Sequence, residues 1–378
     1  MRAERGAQRL GTSKGPMDQF TAHLDRGWDL VSRGDFAGAM VSAQKSLELD
    51  GQSPEAHNLI GYIFAAEGRA EEALEHYKQA IELDEGFVEA MLNAAEVLVH
   101  PLGDTDAALE MIEDALYFAE GDDEVADAML LKFDALMHAN DRDAAARVVA
   151  ALPDGPFESP HLDFLIGRAR FDVGDFASAE QRIRAALDRE PDNAEAHYYL
   201  GLVLEQKGDA RGATVAFLEA RDRDLRYELP PWSLEPRQFE RRVQGAINAL
   251  APAQRDALDG SLVVVSDAPG AEVVAEGVDP RVGVLLDDLS PAGQTPRVGR
   301  VFVYQRNIER VAQGVAEVEE QVVHALEHEL AAAFPTLTPD GEPAGDRKLP
   351  LPTGSRPDDA GSGGDDEDGR GGGSSAPS

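Results

Sequence analysis

Near its end the chain reads VEEQVVHALEHELAAAF (318–334), which puts His324 and His328 four residues apart with Glu327 and Glu329 flanking the second. On a helix that spacing sets two imidazoles on one face, where they can share a divalent cation such as zinc. A carboxylate beside them can serve as general base toward metal-bound water. Catalytic zinc needs three protein ligands and one open position. If His328 and Glu329 open the motif, the second histidine position is Ala332, which cannot ligate; if His324 opens it, the pair encloses Glu327. His328 and His324 are therefore the candidate metal ligands. Glu329 is the candidate catalytic base of a site that has lost a ligand. The chain has no cysteine, which excludes disulfides, thiolate zinc, iron–sulfur clusters and thiol nucleophiles. It also has no phosphate-binding glycine loop, Rossmann glycine run or G-x-S-x-G elbow. No cofactor is expected, unless this set binds zinc. The other seven histidines read as structural.

Several elements must position these side chains. Val318, Val322, Leu326 and Leu330 recur every four residues and predict a helix over 316–334. RQFERRVQGAINAL (237–250) predicts another, with Phe239, Val243, Ile247 and Leu250 as its apolar stripe. SLVVVSD (261–267) reads as a strand, and RVFVYQRNIERVA (300–312) begins as one. The Gly/Pro-rich stretch 268–299 reads as irregular. Upstream, the three prolines of LPPWSLEP (229–236) break the helical period, so 228–236 reads as a linker. Together these pieces predict a small α+β domain over 237–335.

Its segments LVVVSDAP (262–269), VFVYQRNIER (301–310) and HELAAAF (328–334) resemble, in order, the minimal zinc-metallopeptidase family of bacteria, a compact zincin. That resemblance implies a zincin-like fold, zinc held by His-Glu-x-x-His and a third ligand further on. His328 and Glu329 match the first two positions, Ala332 departs from the second histidine, and Thr338 stands where the family places its third ligand, with Asp340 nearby. The resemblance therefore implies a degenerate, metallopeptidase-like domain without activity. The alternative is a zinc-dependent peptidase with a non-standard ligand set around His328 and Glu329. His324-Ala-Leu-Glu327-His328 also fits the inverted H-x-x-E-H signature, whose families take a further carboxylate from a folded downstream region. Here the chain turns to low complexity.

A length of 378 residues allows two to three domains of about 150 residues each, and the larger part shows a period of thirty-four. Gly27, Gly61, Gly167 and Gly201 hold one position of the repeat; Gly34, Gly68, Gly174 and Gly208 hold another, followed by Asp35, Asp175 and Asp209. Ala39, Ala73, Ala179 and Ala213 hold a third position, and Ala80, Ala186 and Ala220 a fourth, with Ser46 in the first copy. Small residues let two amphipathic helices cross closely, and a Gly-Asp turn joins them. Such pairs must stack to bury their apolar faces. LIGYIFAAEGRAEEALEHYKQAIELD (59–84) and YLGLVLEQKGDARGATVAFLEA (199–220) closely resemble the tetratricopeptide repeat. Repeats are placed at 20–53, 54–87, 88–121, about 122–155, 160–193 and 194–227. The third has one extra residue around His100-Pro101, and the fourth has lost its glycines. The fold class is thus mainly α: a tetratricopeptide α-solenoid over 18–227, the small α+β domain, and a disordered Gly/Ser/Pro-rich tail over 336–378. Residues 1–17 read as a disordered lead, with translation starting at Met1 or Met17.

The resemblance implies a protein–protein interaction scaffold that holds a peptide or protein in a groove lined by the first helix of each repeat. Candidate lining residues are Trp28, Asn58, Tyr62, Phe164, Arg168, Tyr198 and Glu205. Leu24 and Trp28 stand where one subclass of the repeat uses basic residues to clamp acidic peptide termini, so that use is not expected. Acidic residues outnumber basic ones 71 to 35, for a net charge of −36, of which −26 falls within 18–227. This charge repels nucleic acid and favours a basic partner. No window of 18 apolar residues occurs, so no membrane helix is expected, and a cytoplasmic location is the default expectation.

Overall fold

The computed structural model describes residues 16–337. Thr338, Asp340, the lead before Pro16 and the tail from residue 338 lie outside the described residues. Those described form two compact units, one ending at Asp104 and the other beginning at Thr105.

The first unit holds α1 (Pro16–Ser32), α2 (Phe36–Leu49), α3 (Pro54–Ala66), α4 (Ala70–Leu83) and α5 (Val88–Val99). The second begins with α6 (Thr105–Phe118), α7 (Gly121–His138), α8 (Arg142–Ala150), α9 (Pro160–Asp172), α10 (Phe176–Arg189), α11 (Ala194–Gln206) and α12 (Ala210–Asp224). The thirty-four-residue spacing holds from α2 to α4, α3 to α5, α8 to α10 to α12 and α9 to α11, and is broken around α6 and α7. Within the units, α1 packs on α2, α3 on α4, α7 on α8, α9 on α10 and α11 on α12. Successive pairs then stack through α2–α3, α4–α5 and α10–α11.

The small-residue positions do what their spacing predicted. At Gly61 a Cβ would lie 2.6 Å from the ring of Tyr77, a fully buried side chain of α4. The glycine therefore lets α3 and α4 approach with a ring wedged between them. Gly68 ends α3 at φ +76°, its N–H bonding Ala65 O while Arg69 N–H bonds Phe64 O. The aspartates of the Gly-Asp turns cap the following helix: Asp35, Asp175 and Asp209 accept from the N–H of Gly38, Ser178 and Gly212.

The fourth repeat keeps this geometry with different residues. Asn140 takes the left-handed turn position at φ +60°, and Asp141 caps α8 through Ala144 N–H. Their backbone bonds, to Met137 O and Leu136 O, repeat those of Gly68 and Arg69. Asparagine tolerates this conformation because its short polar side chain bonds locally. Thirty-four residues before Gly167 and Ile183 stand Phe133 and Val149, both buried in one cluster. The bulk has moved from the second helix to the first.

The remainder of the second unit is α13 (Pro236–Ala249), α14 (Pro252–Leu258), β1 (Leu262–Ser266), α15 (Ala271–Ala275), β2 (Val284–Leu289), β3 (Val298–Tyr304), α16 (Gln305–Val311) and α17 (Val318–Ala333), then a 3-10 turn at Pro335–Leu337. The sheet order is β1-β3-β2, with β1 parallel and β2 antiparallel to β3. Its core joins Phe239 and Val243 of α13, Val301 and Val303 of β3, and Val322, Leu326 and Leu330 of α17. The stretch expected to be irregular, 268–299, contains α15 and the edge strand β2. The run VLLDDL gains its order by pairing with β3, and the glycines and prolines on either side of it hid a tertiary strand.

Candidate functional site

Three of the candidate lining residues come together in the first unit. Trp28 of α1 and Tyr62 of α3, both half-buried, meet edge to face with centroids 5.3 Å apart. Four residues before Tyr62, Asn58 is buried and held in a ladder. Its Nδ2 donates to Glu89 Oε1 at 2.9 Å, and its Oδ1 accepts from Asn93 Nδ2 at 3.0 Å. Glu89 and Asn93 lie one turn apart on α5, and Glu89 is exposed. The first helices of this unit thus carry two apolar rings beside a polar ladder that ends in a carboxylate at the surface. The repeat resemblance indicated Trp28, Asn58 and Tyr62; Glu89 and Asn93, which complete the ladder, were missed. They follow Asn58 by 31 and 35 residues, close to one repeat, and that offset is the signal that could have found them.

In the second unit two of the candidates, Phe164 and Tyr198, are buried. Phe164 is buried against Tyr199 at 5.7 Å. Arg168 is half-buried on α9, and Glu205 is exposed at the end of α11. Tyr198 is buried by the α+β module, its Oη donating to Asp279 Oδ2 at 2.8 Å. Burial, then the charge of Asp279, raises the Tyr198 phenol above its ordinary value.

The module is fastened there by arginines. Arg281 donates to Glu195 Oε2 at 2.8 Å and to Asp224 Oδ2 at 3.0 Å, with its guanidinium 4.3 Å from the Tyr198 ring centre. Burial opposes the charge of Arg281, but Glu195 and Asp224 together raise its pKa above the usual arginine value. Arg310 reaches the same Asp224 at 2.7 Å, and Arg306 donates to the carbonyls of Asp224 and Tyr227. Arg221 of α12 donates to Pro269 O, and Val274 of α15 joins the apolar cluster of α11 and α12.

The segment QRNIER (305–310) supplies much of this fastening. Asn307 donates to Pro280 O and Val282 O, fixing the loop that presents Arg281. Glu309 accepts from Ser233 Oγ, Leu234 N and Gln305 Nε2, fixing the linker. Sequence reading found this segment only as part of a resemblance.

The candidate metal residues sit on α17 away from its buried stripe of Val318, Val322, Ala325, Leu326 and Leu330. His324 and His328 are exposed, and His328 Nδ1 lies 3.3 Å from Glu329 Oε1 of the next residue. Among the described residues no three His, Asp or Glu side chains converge on a common point. Two surface imidazoles and an adjacent carboxylate do not supply the donor set of a catalytic zinc.

Two stretches match the sequence profile of the tetratricopeptide repeat, residues 54–87 and residues 164–224. No curated protein sequence matches the chain. Among solved structures, that of Pseudomonas aeruginosa pilF superposes with a TM-score of 0.45 at 17% identity, covering 55% of this chain and 93% of that one. That of PilW, a widely conserved type IV pilus biogenesis factor, gives 0.44 at 16% identity, covering 55% of this chain and 95% of that one. TTC0263, a thermophilic repeat protein of Thermus thermophilus, gives 0.40 at 19% identity, covering 49% and 98%.

Proposed function

We propose that the chain is an interaction scaffold whose first unit binds a basic polypeptide segment on the face of α1, α3 and α5. The observation that carries this reading is the Trp28–Tyr62 pair beside the Asn58–Glu89–Asn93 ladder. Half-buried rings offer apolar contact at low conformational cost, and a surface carboxylate on buried amides can orient a cationic side chain. The net charge of −36 draws such a segment in from solution. The tetratricopeptide repeats support the general kind of partner; the residues named supply its chemistry.

The α+β module, which resembles the minimal zinc metallopeptidases in segment order, is read as a cap. It covers Tyr198 and closes the apolar end of α11 and α12, which a further repeat would otherwise have to bury. On this reading the module needs no metal.

The test is calorimetric titration of the full chain with matched peptides, one rich in Lys and Arg and one rich in Asp and Glu. The basic peptide should bind, and binding should weaken steeply with salt. Replacing Trp28 and Tyr62 by Ala should cost about tenfold in affinity. Equal binding of both peptides, or binding unchanged by that double replacement, would refute the assignment of this face.

A further inference from the structure

His57 of α3 and His76 of α4 meet across the second helix pair with their Nδ1 atoms 3.1 Å apart. The ring centroids are 5.3 Å apart, so both nitrogens lie between the rings and point at one another. One N–H donating to a bare ring nitrogen has this arrangement. Chelation would require both lone pairs to turn toward a third point. Both rings are half-buried, with the Phe64 ring 5.4 Å from His76.

The charges around the pair are few. Burial is the main force disfavouring a charge on either ring, and for His76 the neighbouring His57 adds to it. Glu75 and Glu72 of α4 act on His76 in the opposite sense, and Glu72 is itself paired with Arg69. From α5, Glu89 is directed at Asn58 and Glu96 acts on Tyr77. α1 and α2 meet α3 through apolar side chains, among them Leu24, Trp28, Ala39 and Ala43.

We propose that His57 and His76 form an acid-released latch fastening α3 to α4. In the neutral pair one ring donates its Nδ1–H and the other accepts. A first proton from solvent can enter at the outer Nε2 of the donor ring and leave the bond intact. A second must take the shared lone pair, which turns both Nδ1 atoms into donors and sets two cations face to face. The opened hairpin, its rings in water, holds both protons readily. Each proton held in excess by the opened form raises the opening constant about tenfold per pH unit. His57 directly precedes Asn58, so acid release of a bound partner would follow if the binding face proposed above is correct; the latch itself does not depend on that reading.

The test uses the full chain and no partner. Imidazole titration by nuclear magnetic resonance and amide hydrogen exchange, corrected for intrinsic rates, are followed from about pH 7.5 to about pH 5. Both rings should titrate below the ordinary histidine value and in a coupled manner. Opening of α3 and α4 should increase at least tenfold relative to α9–α12. His76→Asn keeps a hydrogen-bonding amide near the Nδ1 position but does not titrate, so it should remove most of the acid response; His57→Gln serves if that variant folds poorly. Independent titration at ordinary values, or an acid response unchanged in both variants, would overturn the latch. So would zinc added at neutral pH slowing exchange at the pair, which would point to a metal site instead.

Discussion

The guanidinium of Arg281 lies 4.3 Å from the ring centre of Tyr198, eighty-three positions earlier in the chain, while Tyr198 Oη donates to Asp279. A side chain whose place in the repeat suggested ligand contact is thus covered by the chain's own loop. The same arginine pairs with Glu195 and Asp224, of which Asp224 is as buried as Arg281 itself. Replacing Arg281 by Met would leave Asp224 with Arg310 as its remaining cation. Breaking a buried pair from one side costs roughly 3–5 kcal/mol, and the retained Arg310 contact places the expected loss near the lower end. Urea denaturation should show a lower midpoint for the Arg281→Met chain, and Arg281→Lys should recover only part of it because lysine cannot bridge two carboxylates with a planar fork. An unchanged midpoint in Arg281→Met would contradict the fastening role.

Asn140 supplies a second test, through backbone conformation alone. At φ +60° it stands where the other Gly-Asp turns carry glycine. Asn140→Gly should be neutral or slightly stabilising. Asn140→Val should cost about 1–2 kcal/mol, because a β-branched residue meets its own backbone in the left-handed region. Asp141→Ala should cost about 1 kcal/mol by removing the cap on Ala144 N–H. Thermal unfolding of the three variants would rank them; a tolerated valine would contradict the conformational assignment.

Those residues also show how far the sequence could be read. Glycines and alanines recurring every thirty-four positions expose a repeat because helix crossings tolerate little else. Asn140 and Phe133 preserve the same turn and crossing by other means, so the fourth repeat looked eroded while its backbone stayed regular. The α+β module was legible where strands and helices carry their own patterns, as in LVVVS and the stripe of α17. β2 was not legible, because its order comes from pairing with β3. Arg281 was invisible for a similar reason: it sits in EGVDPRVG with no periodicity, and its partners lie 57 and 86 positions away. On α1 and α3 the repeat resemblance reached Trp28, Asn58 and Tyr62, but nothing local marked Glu89 as the acceptor for a buried amide.

The crossing at Gly61 predicts a coupled pair. A methyl group there would meet the Tyr77 ring at 2.6 Å, and that ring is enclosed on all sides. Gly61→Ala should therefore destabilise the chain by about 1–3 kcal/mol through overpacking. Tyr77→Leu alone should also destabilise, by leaving a void. Combining them should cost less than the sum, since the smaller leucine yields to the added methyl. A double-mutant cycle read by chemical denaturation measures this; strict additivity would show that the two side chains do not share the crossing.

The last prediction concerns zinc. His324 and His328 stand one turn apart on the exposed side of α17, a spacing that captures metal weakly whatever its purpose. His328 is within reach of Glu329, but a carboxylate on the adjacent residue leaves the helix in a different direction from the next turn, where a catalytic helix would place its second imidazole and this one has Ala332. After dialysis without chelator, the purified chain should hold well under one zinc per molecule by mass spectrometry. His324→Ala and His328→Ala should each leave thermal stability within about 0.5 kcal/mol of the parent, because neither imidazole is part of the core. The cap reading gives way to the peptidase reading if zinc is stoichiometric, is lost in His328→Ala, and supports peptide hydrolysis that Glu329→Gln abolishes. Zinc bound but lost equally in His324→Ala, without hydrolysis, marks a surface chelate and leaves the cap reading standing.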